Sequence, residues 1–450
     1  MTDRHPDREV LERFLGGDLP EDASRALQRH LFVCPACEER LIELLPGPAT
    51  ASAPESRDQH RSLVRTLLEG HRPEISGRHR DLAAERAAAA ALWRELEPHD
   101  ELRRRSLVAQ DSRFQSWGFF ELLVELGRQA MLENARQAEA LLRLALAVAK
   151  RLDARKHGTG SIEAARAKVW TWLGNTFRVL EDFGRAEAAF RQAERYFSRS
   201  WLDPLDEALL LELRAVLRRA QRRFDEALEL VAGAIAIYGE VNEPNHQGRA
   251  LMIKGMTLQY KGSFAEAADC FRASLSLLEE PRLLALSELN LVNCLQDAGH
   301  SFEAAALIPG TRRRVEQAGK RVDLLRLRWT EAKVAASTGQ PAAAEEAFLE
   351  VRAAFLQDSL AFDAALISLD LAALYLEQER VAETKRLAAE ILPVFRSREV
   401  YREALAALLV FQRAAEVEQL TRGLVDEVAA YLRQARNDPR LRFREQGTGS

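Results

Sequence analysis

Small and aromatic residues recur at helical spacing through most of the chain, and the pattern is clearest between Trp170 and Ala193. The recurring positions there are Trp170, Leu173, Gly174, Phe177, Ala186, Phe190 and Ala193. Residues three or four apart share one face of an α-helix, so the stretch predicts two short helices. Gly174 and Ala186 let the two backbones approach, and the aromatic rings fill the space around them. Because one such pair cannot bury its apolar faces alone, the pattern predicts that similar pairs stack along the chain.

The small residue of the second helix provides a register for the other copies. The equivalent positions are Ala138, Ala186, Ala227, Ala267, Ala304, Ala344 and Thr384, with a period near 40. The stretch 170–193 resembles the tetratricopeptide repeat, whose signature is W-x2-L-G-x2-Y…A-x3-F-x2-A, and Phe177 takes the Tyr place. The resemblance implies an all-α fold, a right-handed superhelical solenoid of about seven units over residues 116–398.

The same resemblance implies a binding groove, because the first helix of each unit lines the concave side of this fold. The groove residues expected from the alignment are Asn175, Arg178, Met252, Met256, Gln259, Asn293, Gln296, Trp329 and Lys333. Amide side chains can bond a peptide backbone in both directions, Met adapts to varied side chains, and Arg or Lys can take a carboxylate. The set therefore predicts a protein or peptide partner. The alternative is that these are ordinary solvated residues or contacts between repeats.

Residues 1–45, called the head below, form a separate small unit with candidate metal ligands. His30 and Cys34 are four residues apart and share a face of a helix end, and Cys37 follows one turn later. Tetrahedral zinc needs a fourth ligand, for which His5 is the natural candidate on a helix that must pack nearby. All four positions would then be filled by protein, which indicates a structural Zn²⁺, one per chain. The alternative is an unmetallated helical hairpin with a surface Cys-x2-Cys.

The head resembles the zinc-binding anti-sigma factor domain, whose pattern is an upstream His or Cys followed by H-x3-C-x2-C among apolar helices. His5, His30, Cys34 and Cys37 match that pattern position by position, and the turn at 15–19 matches as well. The resemblance implies a three-helix zinc unit that can clamp a sigma factor.

Composition limits the other possibilities. The net charge is −4 with a pI near 6.2, so no nucleic-acid partner is expected. No apolar run approaches the length of a membrane span and the start lacks a signal peptide, so we expect a cytoplasmic chain and no membrane partner. Cys270 and Cys294 fall beside apolar residues of repeat helices and are expected to be small buried residues.

The remaining segments are defined by composition. Residues 46–60 read as a flexible linker and 61–115 as a helical connector, while 399–436 are expected to form capping helices and 437–450 a tail. No catalytic motif stands out. The sequence thus predicts a non-enzymatic bacterial regulatory adaptor with a zinc-stabilised, anti-sigma-like head and a repeat groove for a partner. The alternative is a scaffold that assembles a complex and has no transcriptional role.

Overall fold

The computed structural model describes helical segments over most of the chain. The described residues are 6–16, 18–20, 23–24, 27, 30–31, 37, 40–41, 44, 81–131, 133–200, 203–358, 360–396, 408, 411–412 and 421–435. No strand occurs among them, which confirms the predicted all-α fold class. None of the helices in these ranges is long and apolar enough to cross a bilayer.

Three helical stretches of nine residues or more precede the repeats among the described residues. They are α1 (Arg8–Gly16), α2 (81–96) and α3 (Glu101–Gln110), and a 3-10 turn at Ser112–Phe114 follows α3. The Asp100 side chain caps α3 by accepting from the Arg103 backbone N–H, which satisfies one of the amide groups left open at a helix start.

Seven helix pairs follow, α4 to α17. The first helix of each pair has an even number, from α4 to α16, and the second helix has an odd number, from α5 to α17. Their bounds are α4 Trp117–Ala130, α5 Ala135–Ala149, α6 Thr159–Val179, α7 Phe183–Phe197, α8 Pro204–Ala220, α9 Phe224–Glu240, α10 Pro244–Lys261, α11 Phe264–Leu275, α12 Pro281–Asp297, α13 Ser301–Ala318, α14 Arg321–Ser337, α15 Pro341–Gln357, α16 Ala361–Glu377 and α17 Val381–Arg396. A single-turn helix, Ala154–His157, lies between the first two pairs, and α18 (Arg422–Ala435) follows the last.

The small-residue register coincides with the second helices. Each of the seven aligned residues lies near the start of its second helix; the six alanines are inaccessible to solvent and Thr384 is 2% exposed. A Cβ built on Gly174 would stand 2.7 Å from the Phe190 ring, and one on Gly255 would stand 3.0 Å from the Phe271 ring. Glycine is thus favoured at these two positions of α6 and α10 because an aromatic ring of the second helix lies against its backbone.

Six of the pairs share one kind of turn between their helices. The first or second residue after the first helix adopts a left-handed conformation, and the next N–H bonds the carbonyl five residues earlier, as Asp182 does to Phe177. This hydrogen bond is the one that closes a Schellman motif. The left-handed residues are Glu181, Arg222, Gly262, Gly299, Gly339 and Glu379.

The chain divides into two compact units, Met1–Leu217 and Arg218–Ser450. In the first unit, residues from Ala89 to Leu217 form one hydrophobic cluster, while the head has its own cluster that includes Leu11, Leu15 and Leu41. The hydrophobic core of the head is therefore separate from that of the repeats.

In the second unit, each helix from α9 to α17 packs on the next along the chain. The first helices α10, α12, α14 and α16 also contact one another in sequence. The last of them, α16, is buried along most of its length because α18 packs on it as well. Arg422 at the start of α18 pairs with Glu377, and Arg433 near its end lies 3.6 Å from Asp370, so the two helices run antiparallel.

Candidate partner-binding face and metal ligands

The predicted groove residues of the first unit lie on α6. Asn175 is only 8% exposed; its Nδ2 donates to Met131 Sδ at 3.0 Å, and its Oδ1 accepts from Arg178 Nε at 2.8 Å. Arg178 is half-buried. The Asn175 amide is therefore engaged inside its own unit, while its predicted role in binding stays a prediction.

In the second unit, three of the predicted residues join α12 to α14. Asn293 Oδ1 accepts from Thr330 Oγ1 at 2.9 Å, and Gln296 Nε2 donates to the Ser337 hydroxyl at 2.7 Å. Lys333 Nζ lies 2.8 Å from Asp297 Oδ1. The polar groups between these two first helices thus form one hydrogen-bonded row, and the predicted residues are half-buried within it.

Trp329 continues this row toward α16. Its indole Nε1 donates to Asp370 Oδ2 at 2.7 Å, and its ring packs edge-on against Phe355 at 5.9 Å between centroids. The indole is half-buried, so one edge is held by the fold and part of the ring still reaches solvent.

The residues predicted on α10 differ in exposure. Met252 is buried in the hydrophobic cluster of α10 to α13, whereas Met256 and Gln259 are half-buried. Tyr260, at the end of the same helix, is 42% exposed. The first-helix face, as we use the term, consists of Tyr260 and those predicted groove residues of α10, α12 and α14 that are half-buried. Its members are Met256, Gln259, Tyr260, Asn293, Gln296, Trp329 and Lys333.

Arg219, at the end of α8, was missed by the sequence reasoning. It precedes the left-handed Arg222 by three residues, as Arg178 precedes Glu181 and Gln259 precedes Gly262. The repeat register extended to the third pair would have found it. Its Nη1 is out of contact with solvent and has no hydrogen-bond partner in the described part of the chain.

The head brings together two of the four predicted zinc ligands. His30 Nε2 lies 3.1 Å from Cys37 Sγ, and Cys37 is fully buried. Two ligands of one tetrahedral zinc, at bond lengths of about 2.0 and 2.3 Å, stand roughly 3.5 Å apart, so this pair fits a shared metal with a small adjustment. His5 and Cys34 lie outside the described residues. Within those ranges, no three His, Cys, Asp or Glu side chains are grouped as metal ligands.

Cys270 and Cys294 are buried in the second unit, as predicted. Burial raises the pKa of the Cys270 thiol and raises the pKa of Cys294 to about 12. Because the thiolate is the reactive form, both residues are inert near neutral pH.

Comparisons with known proteins agree with the repeat architecture. A family model described as tetratricopeptide repeat matches residues 206–280. The comparison with curated proteins gives no match. Among solved structures, the apo form of RapI is 15% identical with a TM-score of 0.53, covering 80% of this chain and 98% of that one.

Two further solved structures are similar. Aspartyl phosphate phosphatase F from Bacillus subtilis is 13% identical with a TM-score of 0.50, covering 89% of this chain and 96% of its own. A Rap protein complexed with competence and sporulation factor is 12% identical with a TM-score of 0.50, covering 71% of this chain and 94% of its own. At such identities the likeness shows the fold alone, which is the tetratricopeptide-repeat fold that the sequence predicted.

Proposed function

We propose that this protein is a non-enzymatic adaptor whose first-helix face binds a protein or peptide partner. The observation that supports the proposal is the contact between successive first helices α10, α12 and α14, on which Met256, Tyr260 and Trp329 are half-buried or exposed, as are the predicted amide and charged residues. Such a mixture suits an extended peptide, because amides pair with its backbone and aromatic or Met side chains accept its apolar groups. A similar fold solved with competence and sporulation factor bound supports this reading.

Capture of partners from native cells tests the face. The variant carries Gln259→Ala with Tyr260→Ala, two changes at the edge of α10 that remove no buried side chain. The matched control carries Glu266→Ala with Asp269→Ala, at exposed positions of the second helix α11. We expect the wild type and the control to retain the same partner and the variant to lose it, as measured by mass spectrometry and then by calorimetry with the purified partner. Equal retention by all three proteins would contradict the proposal.

We also propose that the head is a zinc-stabilised unit similar to the anti-sigma domain, in a bacterial, cytoplasmic protein. The proximity of His30 and Cys37 inside a small apolar cluster supports a metal there. The four ligands would be His5, His30, Cys34 and Cys37, and the ion would tie together helices whose own core is small.

Metal analysis of the purified chain tests the site. We expect one zinc ion per chain in the wild type and none in a His30→Ala, Cys37→Ala double variant. Unaltered zinc content in that variant would refute the site.

Sigma factor binding distinguishes an anti-sigma regulator from a scaffold without a transcriptional role. Binding of a sigma factor by the full chain, with repression of its transcription and loss of both in the zinc-site variant, would support an anti-sigma role. A chain that holds its groove partner but no sigma factor of the native cell would instead be a scaffold without a transcriptional role.

A further inference from the structure

The helix α18 packs on a first helix but does not continue the series of first helices. The side-chain bonds between α12 and α14 join the middle of one helix to the middle of the other and end to end, so these first helices run parallel. In contrast, Arg422 at the start of α18 pairs with Glu377 at the end of α16. Arg433 near the end of α18 lies 3.6 Å from Asp370 in the middle of α16. α18 therefore crosses α16 in the opposite direction to a repeat helix.

The two carboxylates of α16 that pair with α18 correspond to positions in or beside the first-helix face. Equivalent positions are found by counting back from the left-handed residue that follows each first helix. Glu377 stands two residues before it, as do Tyr260 on α10 and Asp297 on α12, both of which are exposed. Asp370 stands nine residues before it, as does Thr330 on α14, which bonds across to α12. α18 therefore lies on the side of α16 that continues the first-helix face.

Asp370 joins α18 directly to this face. One carboxylate oxygen accepts from the Trp329 indole at 2.7 Å, and the other lies 3.6 Å from Arg433. The Trp329 ring also packs against the hydrophobic cluster that contains Val428 of α18. A ligand that extends along the face to α16 would therefore meet α18 beside Trp329.

α18 has the side-chain pattern of a helix that binds in a groove. Val425, Val428 and Leu432 are buried in the cluster that α16 contributes to, whereas Asp426 and Ala430 are exposed. Apolar anchors at this spacing form one stripe along a helix, which is how amphipathic helices dock into apolar grooves. A basic side chain near each end of the stripe pairs with a carboxylate of α16.

The attachment of α18 is less extensive than that of a repeat helix. Among the described helices, α18 makes an extensive contact with α16 alone, whereas α16 packs on α14, α15 and α17 as well. The arginines of its two ion pairs are about half exposed, and such pairs contribute little to stability. The repeats can therefore keep their own contacts when α18 leaves, provided that another apolar surface covers α16.

We propose that α18 is an intramolecular ligand of the first-helix face, which a partner displaces by presenting an amphipathic helix with a basic residue near each end. This proposal rests on the proposed function of the face and specifies its partner and its regulation. The partner helix must be amphipathic because the covered side of α16 is apolar, and basic near its ends because Asp370 and Glu377 mark the two ends of the contact. Because α18 belongs to the same chain, it competes at a high effective concentration and closes this end of the face until a partner binds.

Hydrogen exchange of the full chain without ligand tests whether α18 detaches by itself. We expect residues 421–435 to exchange roughly tenfold faster, or more, than α10 to α15, because α18 opens without unfolding of the repeats. The release variant, Arg422→Glu with Arg433→Glu, turns both attractions into repulsions and should speed exchange of α18 about tenfold further while leaving α10 to α15 unchanged. Equal protection of α18 and the repeats, or loss of both together in the release variant, would show that α18 is a fixed cap and would overturn the proposal.

A fluorescent peptide of residues 421–435 with blocked ends then probes the vacated site by anisotropy. We expect the release variant to bind it roughly tenfold more tightly than do the wild type and the control Ala430→Glu, which changes an exposed residue and leaves α18 in place. The same peptide with Val428→Asp should bind the release variant about tenfold more weakly or worse, because it would bury a carboxylate in the apolar stripe. Adding Asp370→Asn to the release variant should weaken binding of the unaltered peptide several-fold and keep an acceptor for Trp329.

The outcomes separate this proposal from the proposed function of the face. Absence of peptide binding to the release variant, or equal binding to it and to the wild type, overturns the intramolecular ligand. The capture of partners with Gln259→Ala and Tyr260→Ala changes neither α16 nor α18. Its failure would overturn the face itself, whereas failure of the peptide overturns only the closure of the face by α18.

Discussion

Tyr375 on α16 shows how one buried hydroxyl depends on a single carboxylate. Its Oη donates to Glu345 Oε1 at 2.9 Å, and the Arg380 guanidinium binds the same carboxylate and lies 4.3 Å from the Tyr375 ring centroid. Burial, followed by the bond to Glu345, raises the pKa of Tyr375 to about 12. The hydrogen bond from Arg380 holds the pKa of Glu345 below its usual range.

Alkaline stability provides a test of this arrangement. Because the pKa of Tyr375 is higher in the folded than in the unfolded chain, where it is about 10, the neutral hydroxyl contributes stability below pH 10 that is lost as pH rises toward 12. Tyr375→Phe should therefore be less stable than the wild type by about 1 kcal/mol at pH 8 and should approach it between pH 10 and 12. Denaturant unfolding across this pH range measures both curves. Parallel curves would show that the hydroxyl has an ordinary pKa.

At the scale of helices and turns, the left-handed residue found in six of the pairs carries a specific conformational cost. Glu181 adopts a φ of 59° and Gly299 a φ of 85° in equivalent turns. A side chain in this region meets the following carbonyl oxygen, which costs roughly 1–2 kcal/mol, whereas glycine avoids the clash. A Cβ on Gly299 would meet no atom within 4 Å, so only the backbone conformation opposes a side chain there.

Reciprocal substitutions should change stability in opposite directions. Glu181→Gly should raise the free energy of unfolding by about 0.5–1 kcal/mol, and Gly299→Ala should lower it by at least as much. Gly184→Ala is the control, because Gly184 lies in the first turn of α7 and an added Cβ comes no nearer than 3.8 Å to Asp182 Oδ1. Denaturant unfolding of the three variants measures the differences. A gain in stability from Gly299→Ala would exclude left-handed strain as the cause.

These turns also show how far the sequence could predict the fold. The small-residue register coincides with the helix pairs because each crossing needs a small residue. Glycine, which favours the left-handed conformation, occupies three of the turns, at Gly262, Gly299 and Gly339. Nothing in Glu181 alone indicates a left-handed conformation; only its place in the repeat does.

The contacts of the candidate face were harder to predict. Trp329 and Asp370 are bonded across neighbouring first helices, as are Gln296 and Ser337, and such partners lie about one repeat apart in sequence. Their pairing depends on how the helices stack, which local patterns do not encode. For the same reason no local pattern indicates that the Asn175 amide lies beside Met131.

The last helix of the described residues, α18, packs on α16, which is apolar on nearly all sides. Val428 on α18 is fully buried in the cluster that contains Leu369 and Phe355, while Ala430 on the same helix is exposed. Without α18, a long apolar surface of α16 would face water.

A charge placed under α18 should therefore undo this packing. Val428→Asp should lower the free energy of unfolding by about 3 kcal/mol or more, since an ionised carboxylate would be buried without a partner. Ala430→Asp, two residues away, should cost no more than about 0.5 kcal/mol. Denaturant unfolding measures both, and equal effects of the two changes would show that α18 is not held on α16 by its apolar side.

On the scale of the whole chain, the head and the repeats differ in the size of the hydrophobic clusters that their described residues form. In the described residues, the head cluster consists of a few side chains between Leu11 and Leu41, whereas the repeats have large clusters to which every helix pair contributes. A unit of about 45 residues rarely has a core sufficient for stability, and a structural zinc can contribute about 10–16 kcal/mol of apparent binding energy. Metal dependence should therefore be confined to the head.

Treatment of the full chain with a strong chelator tests the proposed zinc dependence of the head. Hydrogen exchange followed by mass spectrometry should show fast exchange throughout residues 8–44 after chelation, because the helices lose the metal ion that would join them. Peptides from residues 117–396 should exchange as before, because stacking of neighbouring pairs stabilises them without metal. The chelator-treated His30→Ala, Cys37→Ala variant is the control and should show no further change. Protection of residues 8–44 that survives zinc removal would mean that the apolar cluster alone folds the head.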